Sequence, residues 1–234
     1  MYNIAILGAS GYTGVELVRL ISMHPEFKIH SLSGETKSGL KFGEVYPSLQ
    51  YLNLPNLCYV SDINYDDLDL VFCALPHTKS AAIINKLPRN IKIIDLSADF
   101  RLNTDSLYKK WYGLDHPCPD LLSKFIYGLT EFYRTDIKNA DYVACTGCNS
   151  ATGLYPIIPL VSEGIIEFDD IIINLATGVS GAGRKANEFI IHSEVSEGFS
   201  PYNVKCHRHL AEFDQELLKF SGKFIPIVLP TPKA

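Results

Sequence analysis

Residues 4–21 read IAILGASGYTGVELVRLI, an apolar run that stops at Gly8 and resumes beyond Gly14 as Val15, Leu17, Val18 and Ile21. The opening is short and continuously apolar, as in a buried strand, and the close has its apolar residues at helical spacing. The stretch therefore predicts strand, glycine turn, helix. Glycines in such a turn let the backbone pass close to a ligand, while the helix start aims free N–H groups and partial positive charge at it. Gly8, Ser10, Gly11, Tyr12, Thr13 and Gly14 are thus candidate contacts to a dinucleotide pyrophosphate. The spacing is G-x-x-G-x-x-G rather than the G-x-G-x-x-G fingerprint, and a plain tight βα turn would also use glycines. Placement directly after the first strand favours the ligand reading.

Working outward, KIHSLSG (28–34), LDLVFCAL (68–75) and IKIIDLS (91–97) read as further buried strands, and HTKSAAIINKL (77–87) as a crossover helix with its stripe at Ala82, Ile83 and Leu87. Strands alternating with helices imply an α/β fold with a doubly wound parallel sheet and ligands outside the carboxyl ends of its strands. Those ends place Ser33 to Gly39, Leu75-Pro76-His77 and Ser97 to Arg101 beside the glycine loop, so Ser33, Lys37 and Pro76 join the candidate cofactor residues. Arg101 is a candidate anion ligand, although a loop held by its own Asp99–Arg101 contact is an equal reading. Glu35 stands where an acidic residue would bind a ribose 2′-hydroxyl, and Lys37 pulls the other way, so local chemistry leaves NAD and NADP open.

The chain has 234 residues, 47% of them hydrophobic, with a formal charge of −5 and no run of Lys or Arg. It can bury a core, and nothing in it is built to neutralise nucleic acid or a membrane surface; a small soluble partner is expected. No apolar run reaches the ~18 residues of a spanning helix and the N-terminus carries no targeting signal. The six cysteines are thinly spread, which suggests reduced thiols and a cytoplasmic location.

In the second half, ADYVACTG (140–147) ends a strand-like run, and NSATGLYPIIPLVSEG (149–164) offers Asn149 or Ser150 as an N-cap to a following helix. Cys148 should therefore sit at a helix N-terminus, where the thiolate is favoured. Pro156 and Pro159 should bend or break that helix after its first turn. DDIIINLATGVSGAGR (169–184) reads as a strand over Ile171 to Leu175 and then a Gly/Ser loop closing on Arg184, suited to an oxyanion or merely to a flexible surface. KCHRHLAEFDQELLKF (205–220) puts His207 and His209 before an amphipathic helix, and either could act as acid or base. A rival reading joins Cys145, Cys148, Cys206 and one of these histidines as a Cys₃His zinc site, and Cys145/Cys148 could also form a redox pair. The depth of the motif in the chain argues against the latter, and the helix start behind Cys148 argues for a lone nucleophile and no metal. Cys58, Cys73 and Cys118 read as buried structural thiols.

Together, GASGYTGVELVRL (8–20), ALPH (74–77), IDLSADFRL (94–102), KWYGLDH (110–116), YGLTE (127–131), TGCNSAT (146–152), GVSGAGR (178–184) and HRHLAEFDQEL (207–217) resemble the N-acetyl-gamma-glutamyl-phosphate reductases, relatives of the aspartate-semialdehyde dehydrogenases. They run in family order over nearly the whole chain. The resemblance implies a Rossmann NAD(P)-binding domain over 1–147, a second α/β (α+β) catalytic domain over 148–234, and NADPH as reductant of an acyl phosphate in arginine biosynthesis. By the same resemblance Cys148 is the nucleophile and His209 the acid/base, with His207 its competitor and a possible substrate contact. Ser180, Arg184 and Arg101 fall to the substrate and Gly181 to the cofactor. Asn149 replaces a Tyr common after the nucleophile, and Cys145 an Asn. Family chains continue past residue 234, so the second domain is expected to be incomplete at its C-terminus, and the full-length protein to be a homo-oligomer. Alternatives are a related acyl-phosphate reductase, such as one acting on aspartyl phosphate, or an inactive nucleotide-binding fragment.

Overall fold

The glycine turn lies between strand β1 (Tyr2–Leu7) and helix α1 (Tyr12–Ile21) in the computed structural model, which describes residues 1–169, 171–204, 206–229 and 231–233. Contacts divide the chain into two units, one of Met1–Asn103 with His116–Cys145, the other of Thr104–Asp115 with Thr146–Ala234. Residues 104–115 thus group with the second unit, although they lie inside the stretch that the resemblance assigns to the first. The helices, in chain order, are α1, α2 (Phe42–Val45), α3 (Ser80–Ile84), α4 (Asp105–Tyr112), α5 (Thr130–Asn139), α6 (Cys148–Ser162), α7 (His192–Val195) and α8 (Leu210–Ser221).

In the first unit β1 joins β2 (Phe27–Ser33), β3 (Leu57–Cys58), β4 (Leu70–Cys73), β5 (Lys92–Asp95), β6 (Phe125–Tyr127) and β7 (Tyr142–Ala144). They form a seven-stranded sheet ordered β3-β2-β1-β4-β5-β7-β6, with every pairing parallel. Alternation along β1 feeds two apolar layers. Ala5 and Leu7 join Val71, Cys73, Ile93 and Ala81 on one face, while Ile4 and Ile6 join Leu32, Phe72, Val18 and Ile21 on the other. Burial on both faces is what a doubly wound parallel sheet requires, so the expected α/β class holds. The direction of strand addition reverses between β1 and β4, which sets the loops after Leu7 and Cys73 at the topological switch point. The crossover helix is shorter than expected, because Thr78 takes a left-handed φ of 71° and helical geometry begins only at Ser80.

In the second unit α6 packs on α8, and Gly153 makes this possible: a Cβ there would lie 2.5 Å from Phe213 Cζ. Two expectations fail here. The helix begins at Cys148 with Gly147, not Asn149 or Ser150, at the N-cap, and it runs through both Pro156 and Pro159 to Ser162. Each interior proline costs about 3 kcal/mol, whereas burial of Leu154, Ile158, Val161 and the facing Phe213 contributes about 2 kcal/mol apiece, so tertiary packing outweighs the local break. The strand expected over Ile171 to Leu175 ends at Ile172: β8 (Ile171–Ile172) reaches only as far as its parallel partner β10 (Ile227–Val228). A further antiparallel pair joins β9 (Ser200–Tyr202) to β11 (Thr231–Lys233).

Candidate active site

In the first unit the glycine loop is shaped by backbone contacts. Gly8 has φ +82°, and a Cβ on it would lie 2.3 Å from Ala74 O; one on Gly14 would lie 2.3 Å from Gly8 O. Any side chain at either position would collide with peptide groups. Gly8 N–H donates to Ser33 Oγ (3.0 Å) and Ala9 N–H to Ser33 O (2.8 Å), so buried Ser33 supports the loop from beneath. Tyr46 OH donates to Ser10 O (2.9 Å). Gly11 is different: a Cβ there meets only Gly8 O at 3.4 Å, so the protein itself makes little demand for glycine. It caps α1 without a side-chain hydrogen bond, no acidic residue occupies the first turn, and Tyr12 and Thr13 are exposed. This is the start of a helix shaped to receive an anion.

Around that loop, Lys37 is exposed on the short 3-10 turn Glu35–Lys37, and Glu35 Oε1 accepts Val60 N–H (3.1 Å). Pro76 is exposed beyond β4. The neighbouring His77 Nδ1 lies 2.7 Å from the buried Asp99 Oδ1, which also accepts Thr78 N–H (2.8 Å), while its Oδ2 accepts Ala81 N–H (2.9 Å). Burial alone would raise the Asp99 pKa, but these donors and the His77 charge leave it below the ordinary range. Asp95, at the end of β5, is fully buried and accepts Ser80 Oγ, Ser97 N–H and Ser97 Oγ. Burial pushes its pKa up to about 6, against those hydrogen bonds. Arg101, 9% exposed, donates from Nε to Cys145 O (2.8 Å) and from Nη2 to Leu96 O (3.0 Å), so its guanidinium ties together the chain segments leaving β5 and β7.

The two cysteines of the C-x-x-C spacing have opposite surroundings. Burial, then the Asp95 charge, push the Cys145 thiol up to about 11 against the pull of Arg101, so it is a poor source of thiolate at neutral pH. Cys148 is exposed and is the first residue of α6, where the helix macrodipole favours an anion. Next to it Gly147 N–H donates to Glu212 Oε2 (2.9 Å). A Cβ on Gly147 would lie 2.7 Å from both Glu212 Oε1 and His209 Nε2, so its hydrogen side is closed by the acid and the imidazole together. His209 Nε2 stands 4.0 Å from Glu212 Oε1, and both residues are buried. His209 N–H donates to His207 Nδ1 (3.1 Å), and His207 Nε2 lies 3.2 Å from Tyr202 OH and 3.5 Å from the Asn149 amide. Burial, then Arg208, hold His207 below the usual histidine range, with Glu212 opposing.

The second unit therefore brings Cys148, His207 and His209 together and leaves Ser180, Gly181 and Arg184 exposed at a 3-10 turn, Val179–Ala182, and just beyond it. Among the described residues no three His, Cys, Asp or Glu side chains converge as a metal site. Glu212, Gly147 and Tyr202 complete the cluster and carry no role in the sequence reading, and Asn149, read there as an N-cap candidate, joins them. An acid three residues after His209 on one helix was the available signal for Glu212.

The family model described as semialdehyde dehydrogenase, NAD binding domain, matches residues 3–140, and that described as semialdehyde dehydrogenase, dimerisation domain, matches 148–233. The chain belongs to the semialdehyde dehydrogenase family. Within that family it is 54% identical over 226 residues to an N-acetyl-gamma-glutamyl-phosphate reductase of Cereibacter sphaeroides, covering 96% of this chain and 66% of the relative. It is 51% identical over 234 residues to a reductase of the same name from Rhodobacter capsulatus, covering 97% and 68%. The chain thus spans about two thirds of the length of these family members. An aspartate semialdehyde dehydrogenase with NADP from Candida albicans shares the fold at 16% identity and a TM-score of 0.61, over all of this chain and 68% of that one. Among the described residues no helix is long and apolar enough to cross a membrane.

Proposed function

We propose that this chain carries the cofactor unit and the nucleophile of an N-acetyl-gamma-glutamyl-phosphate reductase, which converts N-acetyl-glutamyl 5-phosphate to N-acetyl-glutamate 5-semialdehyde and phosphate in arginine biosynthesis. The observation that carries the reading is an exposed Cys148 at the start of α6, with His209 and Glu212 closed around the glycine before it.

The Cys148 thiolate attacks the acyl carbon; the C–S bond forms as the C–O bond to phosphate breaks, leaving a thioester and inorganic phosphate. A nicotinamide cofactor held at the glycine loop, NADPH on this reading, would supply the hydride that reduces the thioester. Collapse of the resulting thiohemiacetal breaks the C–S bond, releases the semialdehyde and restores the thiolate, with His209 moving the proton. Gly8, Ser10, Gly11, Tyr12, Thr13 and Gly14 would hold the pyrophosphate. The fit is supported by α1's uncapped start and by Gly11, whose missing side chain serves a ligand better than it serves the fold.

Exposed Lys37 offers a 2′-phosphate a cation, which supports NADP over NAD, while Glu35 Oε1 is engaged by Val60 N–H. Pro76 and Gly181 complete the proposed cofactor contacts. Arg184 and Ser180 are assigned to the substrate, whereas His207, buried with its ring nitrogens facing Tyr202, Asn149 and the His209 N–H, is left to positioning. Arg101 acts through the Cys145 carbonyl, upstream of the nucleophile, as well as through its charge. A cytoplasmic location suits the free thiols, and assembly as a homo-oligomer is supported by the dimerisation-domain match.

The test is oxidation of N-acetyl-glutamate 5-semialdehyde with NADP⁺ and phosphate. Cys148→Ser should lower the rate by about 10³-fold or more while cofactor binding persists, and Cys145→Ser should leave most of it. Equal loss in both folded variants sinks the lone-nucleophile reading, and aspartate semialdehyde as the better substrate sinks the substrate assignment.

A further inference from the structure

Asn149 is the second residue of α6 and only 6% exposed, and its amide stands between two groups of the cluster. In one orientation Nδ2 faces His207 Nε2 at 3.5 Å and Oδ1 faces Cys148 Sγ at 3.7 Å; a half-turn of the amide exchanges the two atoms within nearly the same volume. Hydrogen bonding decides between such orientations.

The decision starts at His207. Its Nδ1 accepts the backbone N–H of His209, so that nitrogen carries a lone pair and no proton. A protonated ring is excluded by the same contact, since both its nitrogens would be donors. The proton of the neutral ring is therefore on Nε2, which donates and cannot accept. Its single Nε2–H goes to Tyr202 OH, 3.2 Å away, and an amide N–H₂ at the Asn149 position 3.5 Å from Nε2 would set donor against donor, so an oxygen is favoured there. That atom is Oδ1. It follows that the Asn149 atom facing Cys148 Sγ is Nδ2, a donor.

We infer that Asn149 donates an N–H to the sulfur of Cys148, stabilising the thiolate, and that His207 is the positioning residue that locks the amide in this orientation. The same tautomer takes His207 out of contention as the general base, because its only unprotonated nitrogen is occupied by a peptide N–H. The inference rests on Cys148 being the nucleophile. The charged and titratable groups around the pair are His209 and Glu212 at the start of α8, and His207 and Tyr202 before it, with Arg208 acting on His207. None of these turns the amide back, since His207 Nδ1 is fixed by backbone.

The experiment is alkylation of the full chain by iodoacetamide across pH, with Cys148 followed by peptide mapping. Asn149→Ala should slow Cys148 alkylation at pH 7 about tenfold and move the rise of rate to higher pH, as expected for loss of one hydrogen bond to a charged acceptor. His207→Phe, which frees the amide to turn, should slow it by a smaller factor, about threefold. The opposite orientation would have Oδ1 accepting S–H and stabilising the thiol, so Asn149→Ala would then speed alkylation. A faster or unchanged rate in the folded variant overturns the inference. Asn149→Leu, close in shape and without polar atoms, repeats the comparison should the alanine variant not fold. Iodoacetamide needs neither substrate nor cofactor, so this outcome is separate from whether the acyl phosphate is correctly assigned.

Discussion

The two units solve the problem of building a site in different ways. In the first, the glycine loop is shaped by main chain: Gly8 against Ala74 O, Gly14 against Gly8 O, and the Gly8 and Ala9 N–H groups on Ser33. In the second, the surroundings of Cys148 are made by side chains that arrive from a helix about 60 residues later, as the Gly147 to Glu212 hydrogen bond illustrates. A backbone-built site tolerates little change at the glycines packed against its own peptide groups. A side-chain-built site couples chemistry to packing, since His207, His209 and Glu212 are all buried.

The sharpest way to break this comparison is Gly8→Ala set beside Gly11→Ala. The first adds a Cβ at φ +82° that would sit 2.3 Å from Ala74 O, and should destabilise the first unit by about 4 kcal/mol. The second meets only a 3.4 Å contact and should cost less than about 1 kcal/mol while weakening dinucleotide binding. Denaturant melts with parallel cofactor titrations separate the two; equal destabilisation would mean that the loop is not main-chain limited at Gly8.

Asp95 tests the reverse, whether the first unit also depends on a buried side chain. Its folded pKa of about 6 is raised above the ordinary 3.8, so its contribution to stability is fully present below about pH 4 and is lost as pH rises through 6. Between pH 4 and 7 this amounts to about 3 kcal/mol, and Asp95→Asn should remove that slope. Stability curves of wild type and variant that run parallel from pH 4 to 7 would refute it.

A smaller stability change than at Gly8 or Asp95 is expected at Gly147→Ala. Its new Cβ meets the ends of two side chains, not main chain, and these can shift at a cost of about 1–2 kcal/mol. Activity should nonetheless fall about 30-fold, because Glu212 and His209 are displaced together. Full activity in the semialdehyde assay would show that their seating against Gly147 is irrelevant to chemistry.

Much of the first unit is legible in sequence because its signals are local. Apolar runs mark β1, β2, β4 and β5, glycines mark the loop between β1 and α1, and parallel topology follows from alternation. The edge strands β3 and β6, two and three residues long, carry too little periodicity to be read. In the second unit Cys148 at a helix start is legible, but the N-cap is not, because Gly147 is chosen by Glu212 and His209 rather than by capping preference. The helix continuing past Pro156 and Pro159 is misread for a related reason: α8 packs across it and overrides the local break.

The sequence by itself determined the α/β class, the strand–glycine–helix opening, and the choice of Cys148 as the nucleophile candidate, since each depends on neighbours within a few residues. Only the tertiary structure decided that Cys145 is half-buried and poorly ionised, that Arg101 grips carbonyl oxygens, and that His207 holds its proton on Nε2 beside Asn149. Those are matters of burial and of which donor meets which acceptor, and both are set by residues far apart in the chain and adjacent only after folding.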